Sequence, residues 1–231
     1  PRTLRDYARL HGDTVITEDD HRLHAARYMG FVTHLDAQFG RILDYLEESG
    51  EADKTLVLFN SDHGHMIGEH GLACKGPMMF DGTCAIPTVL RWPGHIEPGS
   101  RSHALVHGVD LAPTLCDLFD IPVPGDHPFD GLSWRPLLDG SKDKIRDHAF
   151  LQYEDFGFGI VGERYKLCLW DSDPEGDNGE LDDLQQDPCE KQNRYHDPAL
   201  AQTRDTLTRH LETWRAQHAH PRDHPFPDIW G

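Results

Sequence analysis

Three textures of apolar and polar positions succeed one another along the chain. Through residues 18–49, apolar side chains recur at Tyr28, Phe31, Leu35, Phe39, Ile42 and Leu46, in the steps of three and four that mark an amphipathic helix. Thr17 precedes this stretch and Asp20 follows three residues later, a capping-box pattern reinforced by Glu18 and Asp19, and Gly50 supplies the stop. The pattern predicts a long helix with one face on a sheet. Next comes Leu56-Val57-Leu58-Phe59, an unbroken apolar run too short for a helix and suited to a strand buried on both faces. A second apolar run, Ile86 to Trp92, predicts another strand, so the loop between them is held at both ends by sheet.

Further on, Gly94 to Ser100 reads as a turn and Ser102 to His107 as a short strand. Asp110 is placed to cap a short helix over Leu111 to Phe119, with Pro113 tolerated in its first turn. From about Ile145 the runs shorten: Ala149–Tyr153, Phe158–Val161 and Tyr165–Trp170 alternate with glycines and acids, with Leu181–Leu184 as a final edge strand. Asp197-Pro198 then opens a helix whose apolar face is Leu200, Leu207, Leu211 and Trp214. The expected architecture is α/β. Residues 1–144 would form part of a mainly parallel sheet with flanking helices, and residues 145–231 a small antiparallel sheet with a packed helix. Pro1–Gly12 reads as a connecting segment and the tail from Gln217 as a surface arm; the acidic loop Asp171–Glu180 lacks the residue order of a calcium loop.

Composition narrows the function. Net charge is −18, from 22 basic and 40 acidic residues, which argues against a nucleic-acid surface and against an anionic membrane. No run approaches the length of a membrane span. Five cysteines without a C-x-x-C pair suggest free thiols in a reducing, cytoplasmic compartment. The same charge works against an anionic substrate, so any attraction for one must be local.

Such a local feature follows the first strand. Asn60-Ser61-Asp62-His63-Gly64 lies just beyond its carboxyl end, where open α/β sheets hold their ligands. Asp62 and His63 are oxygen and nitrogen donors side by side. His65, Glu69, His70 and Lys75 add charge and hydrogen-bonding capacity to a loop kept pliable by Gly64, Gly68, Gly71 and Gly76.

Ser61-Asp62-His63-Gly64, Gly68-Glu69-His70-Gly71-Leu72, Lys75-Gly76-Pro77, and Ile86-Pro87 through Arg91-Trp92-Pro93-Gly94 resemble the second half of a sulfatase. More broadly, they resemble the alkaline phosphatase-like superfamily, which includes phosphonate monoester hydrolases. The likeness runs from about Tyr28 to Trp214. It implies that Asp62 and His63 ligate a divalent cation and that Lys75, as the catalytic residue in this chain, contacts the anionic ester and its leaving group. Calcium is the cation implied for a sulfatase; manganese or magnesium would suit the phosphonate branch. His70 is left between proton donation to the leaving group and a supporting hydrogen bond, and His65 and Glu69 between support and solvation.

Two ligands are too few for a divalent ion. In sulfatases the remaining ligands and a formylglycine nucleophile, made from the Cys or Ser of a C-x-P-x-R-like motif, come from the N-terminal half. No cysteine here has proline two residues on, and no serine heads such a motif. The expectation is therefore the C-terminal portion of a metal-dependent hydrolase of sulfate esters, inactive alone and partnered by the missing N-terminal half, with oligomerisation open. Two alternatives stand beside it: a phosphonate monoester or phosphodiester hydrolase, and a non-catalytic metal- or partner-binding remnant.

Overall fold

The computed structural model describes residues 17–75, 78–123, 125, 129–154, 156–171 and 179–218. The connecting segment at Pro1–Gly12, the interior of the acidic loop and the tail beyond His218 lie outside the described residues. The chain divides into two compact units, one formed by residues 17–75 and 80–147 and the other by residues 148–218 with Met78 and Met79.

The first unit begins with helix α1, Glu18–Glu48. Thr17 and Asp20 form the capping box: the Asp20 backbone N–H donates to Thr17 Oγ1 at 3.2 Å, and the Thr17 backbone N–H donates to the Asp20 carboxylate at 3.0 Å. These bonds occupy two of the donors that a helix start leaves orphaned. Of the six apolar positions read as the buried stripe, Tyr28, Phe39 and Leu46 are half-buried. Phe31, Leu35 and Ile42 are exposed, at 70%, 58% and 55%. The packed face is thus rotated from the predicted one and includes His21, His24, Ala25 and Leu43.

Strand β1, Val57–Asn60, pairs with β4, Thr88–Arg91, in the register Val57 opposite Arg91 through Asn60 opposite Thr88. The pairing is antiparallel, as is every strand pairing among the described residues. The mainly parallel arrangement expected from sequence is therefore not seen here, for a physical reason. A parallel return needs a crossover element that carries the chain back to its starting edge. The helix between these strands, α2, is only Asp81–Cys84. Nor is β1 buried on both faces: Phe39 of α1 meets Phe59 edge-on at 5.2 Å, yet Phe59 remains 38% exposed. Arg91 donates to Glu47 at 2.6 Å and ties β4 to the end of α1. The short ribbon β2 (Met66–Ile67) and β3 (Ala73–Cys74) rises from the loop that follows β1.

Two further readings change in this unit. Ser102–His107 is not a strand; Ser102 Oγ accepts from the Ala104 N–H at 3.2 Å, a local bond that competes with a ladder. Helix α3 spans Leu111–Leu118, but Asp110 does not cap it through its side chain. Asp110 is instead fully buried. It accepts from Nη1 and Nη2 of Arg146, from Trp134 Nε1 at 3.0 Å, and from the backbone N–H groups of Leu132 and His107, each at 2.8 Å. Burial acts to raise its pKa, but the Arg146 bonds and the other donors outweigh it and leave the carboxyl below its usual range. A short helix, α4 (Arg135–Leu138), follows Trp134.

The second unit is a four-stranded antiparallel meander, β5 (Ala149–Tyr153), β6 (Gly157–Val161), β7 (Tyr165–Trp170) and β8 (Gly179–Asp183), packed with the terminal helix α5, Ala201–His218. Phe158, Ile160, Leu167, Leu181, Leu207 and Leu211 form its core. Trp214 stacks on Phe150 with ring centroids 4.9 Å apart. The edge of β8 is covered: the Arg194 N–H donates to Leu181 O at 2.8 Å, and the Asn193 side chain bonds both Leu181 N and Gly179 O.

One face of this sheet carries buried charge. Register sets Lys166 opposite Asp182 and Cys168 opposite Glu180, while Glu190 ion-pairs with Lys166. All four charged side chains are buried, and Glu190 holds a left-handed backbone at φ 52°. Burial raises the pKa of Glu180, and it pushes Asp182, which also faces Glu190, up to about 7.

Among the described residues no helix is long and apolar enough to cross a membrane. Cys84, Cys116, Cys168 and Cys189 form no disulfides with one another.

Candidate active site

The site grows from the end of β1. Asn60 Oδ1 accepts from Thr88 Oγ1 at 3.0 Å across the ladder, and the chain then turns. Ser61 Oγ donates to His63 O at 2.9 Å, and Asp62 Oδ1 accepts the His63 backbone N–H at 2.9 Å. Polar side chains thus bond the backbone in place of a continued strand. Gly64 N–H donates to Thr83 O at 2.8 Å. A Cβ on Gly64 would stand 2.2 Å from Gly82 O, so only glycine lets these two backbones meet. Gly82 in turn lies against Met66, which is completely buried.

This turn orients the donors. His63 Nδ1 lies 2.8 Å from Gly64 O. A carbonyl oxygen can only accept, so Nδ1 carries the proton and Nε2 presents a lone pair. Lys75 Nζ sits 2.8 Å from that Nε2, and Asp62 Oδ2 lies 3.4 Å from it. The His63 backbone N–H, its neighbouring imidazole and Lys75 hold the Asp62 carboxyl below its usual pKa, so it is an anion at neutral pH. The structure therefore brings Asp62, His63 and Lys75 together.

A carboxylate oxygen and an imidazole nitrogen facing one point, with the other ring nitrogen tied to a carbonyl, is the donor arrangement a divalent cation uses. The residues present fit part of a cation site. Among the described residues no cluster of three or more His, Cys, Asp or Glu could hold a metal ion.

The rest of the loop supports the site. Glu69 Oε2 accepts from the Ile67 N–H at 2.7 Å. His70, at φ 55°, stacks flat on Phe80 with centroids 3.9 Å apart, a packing contact rather than the hydrogen bond considered from sequence. His65 Nε2 lies 3.2 Å from His24 Nε2, and Tyr28 stacks over the His65 ring at 5.7 Å. Burial, then the neighbouring His24, lower the pKa of His65 and favour its neutral form.

Sequence reading missed His24, although it lies four residues before Tyr28 beside the apolar stripe, where a polar ring needs a partner. It also missed the approach of Gly82 and Thr83 beneath Gly64, which no local pattern signals.

The strand-end turn thus gathers a carboxylate and an ammonium around the Nε2 of one imidazole. The sulfatase family model matches residues 6–121, and the model of the N-sulphoglucosamine sulphohydrolase C-terminal region matches residues 68–217. The chain belongs to the sulfatase family.

N-acetylglucosamine-6-O-sulfatase of Bacteroides thetaiotaomicron is 31% identical over 202 residues, covering 83% of this chain and 35% of that protein. Choline-sulfatase of Rhizobium meliloti is 31% identical, with 84% and 37% covered. Among solved structures, the phosphonate monoester hydrolase of Agrobacterium radiobacter superposes with a TM-score of 0.78 at 32% identity, over 90% of this chain and 44% of that one. A structure in complex with its substrate D-glucosamine-2-N,6-O-disulfate superposes with a TM-score of 0.73 at 31% identity, covering 80% of this chain and 39% of that one. The chain thus spans less than half the length of each of these relatives.

Proposed function

We propose that this chain is the C-terminal portion of a metal-dependent sulfatase-type hydrolase that cleaves sulfate esters. The observation that carries the reading is the convergence of Asp62, His63 and Lys75 at the end of β1 in a chain of this family. Asp62 Oδ2 and His63 Nε2 would hold the cation, calcium by preference, which would neutralise the equatorial oxygens of the ester. Lys75 supplies a fixed positive charge to an ester oxygen, and this grows more useful as that oxygen and the leaving group gain charge. With −18 overall, the chain depends on that local charge to attract an anion. The Gly64 carbonyl holds the His63 ring in one tautomer, and the Gly64–Thr83 bond fixes the turn beneath it.

The nucleophile, a formylglycine, and the remaining ligands would be supplied by an N-terminal half. That half would also complete a mainly parallel sheet on β1. The coverage of the relatives supports this, as do the exposed faces of α1 and the two-stranded β1–β4 ribbon, since an isolated pair of strands is marginal in water.

The superposition on a phosphonate monoester hydrolase favours a second reading, hydrolysis of phosphonate monoesters with manganese or magnesium. Initial rates of the full-length protein on an aryl sulfate and on an aryl phosphonate monoester test the two. The sulfatase reading expects kcat/KM for the sulfate to exceed that for the phosphonate by more than tenfold. The reverse ratio would replace it with the second reading.

A further inference from the structure

We infer that His24 is a positioning residue for the cation pair and acts through His65; the inference rests on the proposed function. His24 and Tyr28 lie one turn apart on α1 and engage the same imidazole from two sides. His24 brings its Nε2 to 3.2 Å from His65 Nε2, and Tyr28 covers the ring face with an interplanar angle of 17°. One of the two Nε2 atoms donates and the other accepts.

His65 is two residues beyond His63 and directly follows Gly64, whose N–H is bound to Thr83 O from the α2 side. The Gly64 peptide is therefore gripped on both sides, by α2 through Thr83 and by α1 through His65. Gly64 O, which fixes the His63 tautomer, belongs to the same short segment. Release of His65 would free the Gly64–His65 segment to rotate and so loosen His63 Nε2 relative to Asp62 Oδ2. His21 strengthens the assignment of this end of α1 to the loop: its ring lies 3.4 Å from where a Cβ on Gly68 would stand. Neither His24 nor Tyr28 reaches the reacting ester in this account; both act on the geometry of the pair.

The test uses the full-length protein stripped of cation and titrated calorimetrically with calcium, and in parallel with manganese. His24→Leu keeps bulk and removes the ring nitrogen, while His24→Gln keeps a hydrogen-bonding group of similar reach. His24→Leu is expected to weaken cation binding about tenfold, as loss of an outer-shell partner does. His24→Gln should stay within about twofold to threefold of wild type on the same reasoning. A His24→Leu protein that melts lower yet binds cation as wild type would overturn the inference. Should His24→Leu fail to fold, Tyr28→Leu carries the test: weakened binding supports the inference, and unchanged binding overturns it. Asp62→Ala separates the two levels. If it binds cation as wild type, the proposed function itself falls; if it loses binding while His24→Leu does not, only the positioning role falls.

Discussion

Replacement of Asp182 by asparagine should change how the stability of the C-terminal unit depends on pH. Asp182 is 3% exposed on β8, opposite Lys166 in the ladder, and the charged groups that face it are Glu190, Lys166, Glu180 and Asp187. Burial is the largest cause of its raised pKa, from 3.8 to about 7; Glu190 and Glu180 add to it and Lys166 opposes it. A carboxyl whose folded pKa lies above its unfolded value binds more protons when folded, so stability falls as pH rises. The contribution is complete below the unfolded value and gone above about 7. The full span of the shift is worth on the order of 4 kcal/mol, at about 1.4 kcal/mol per pH unit. Between about pH 5 and pH 8, roughly 3 kcal/mol of this should be lost. For a chain of this size that is a fall in Tm of roughly 6–12 °C.

Asparagine reproduces the shape of the protonated acid and cannot ionise. Thermal melts of wild type and Asp182→Asn at half-unit steps over this range should therefore differ by only about 1–2 kcal/mol near pH 5 and by roughly 3 kcal/mol more at pH 8, with the variant the more stable. Equal slopes in the two proteins would refute the reasoning. They would show that Asp182 stays ionised and paired with Lys166 throughout.

Other predictions rest on single contacts. Asp110→Ala leaves the Arg146 guanidinium, 13% exposed, without its carboxylate, and should cost about 3–5 kcal/mol in chemical denaturation. Gly64→Ala drives a methyl into Gly82 O and should destabilise by about 1–3 kcal/mol while displacing the His63 turn, seen as weakened cation binding in calorimetry. Leu211→Ala opens a void in the core beneath the four-stranded sheet, where Leu211 is fully buried, and should cost about 2–5 kcal/mol in urea melts.

Features carried by local chemistry were legible in the sequence. The capping box at Thr17 and Asp20, the four short strands and the helix after Asp197 depend on periodicity and end signals within a few residues, and the structure shows all of them. Asp62, His63 and Lys75 lie within one loop, and the structure sets Lys75 Nζ at 2.8 Å and Asp62 Oδ2 at 3.4 Å from His63 Nε2. What escaped was set by partners distant in sequence. Asp110 has the composition of a helix cap, and only its meeting with Arg146, 36 residues on, turns it into a buried ion pair. His24 meets His65 across 41 residues. The apolar stripe of α1 was read as buried because periodicity reports which face is apolar and not what covers it. Phe31, Leu35 and Ile42 show the difference. The strand direction of β1 and β4 was missed for the same reason, since an apolar run carries no information about which neighbour it pairs with.

In the proposed function, Asp62 and His63 hold the cation on which hydrolysis depends. The most direct measurement is calcium-dependent hydrolysis of an aryl sulfate by the full-length protein, comparing wild type with Asp62→Ala and His63→Ala. Both side chains are partly exposed to solvent, at 83% and 38%, so truncation should leave the fold intact with Tm shifted by no more than a few degrees. Each variant should lose at least about a hundredfold in kcat/KM, the outcome expected when a ligand of a catalytic metal is removed. Near wild-type turnover in either variant, still dependent on calcium, would contradict it.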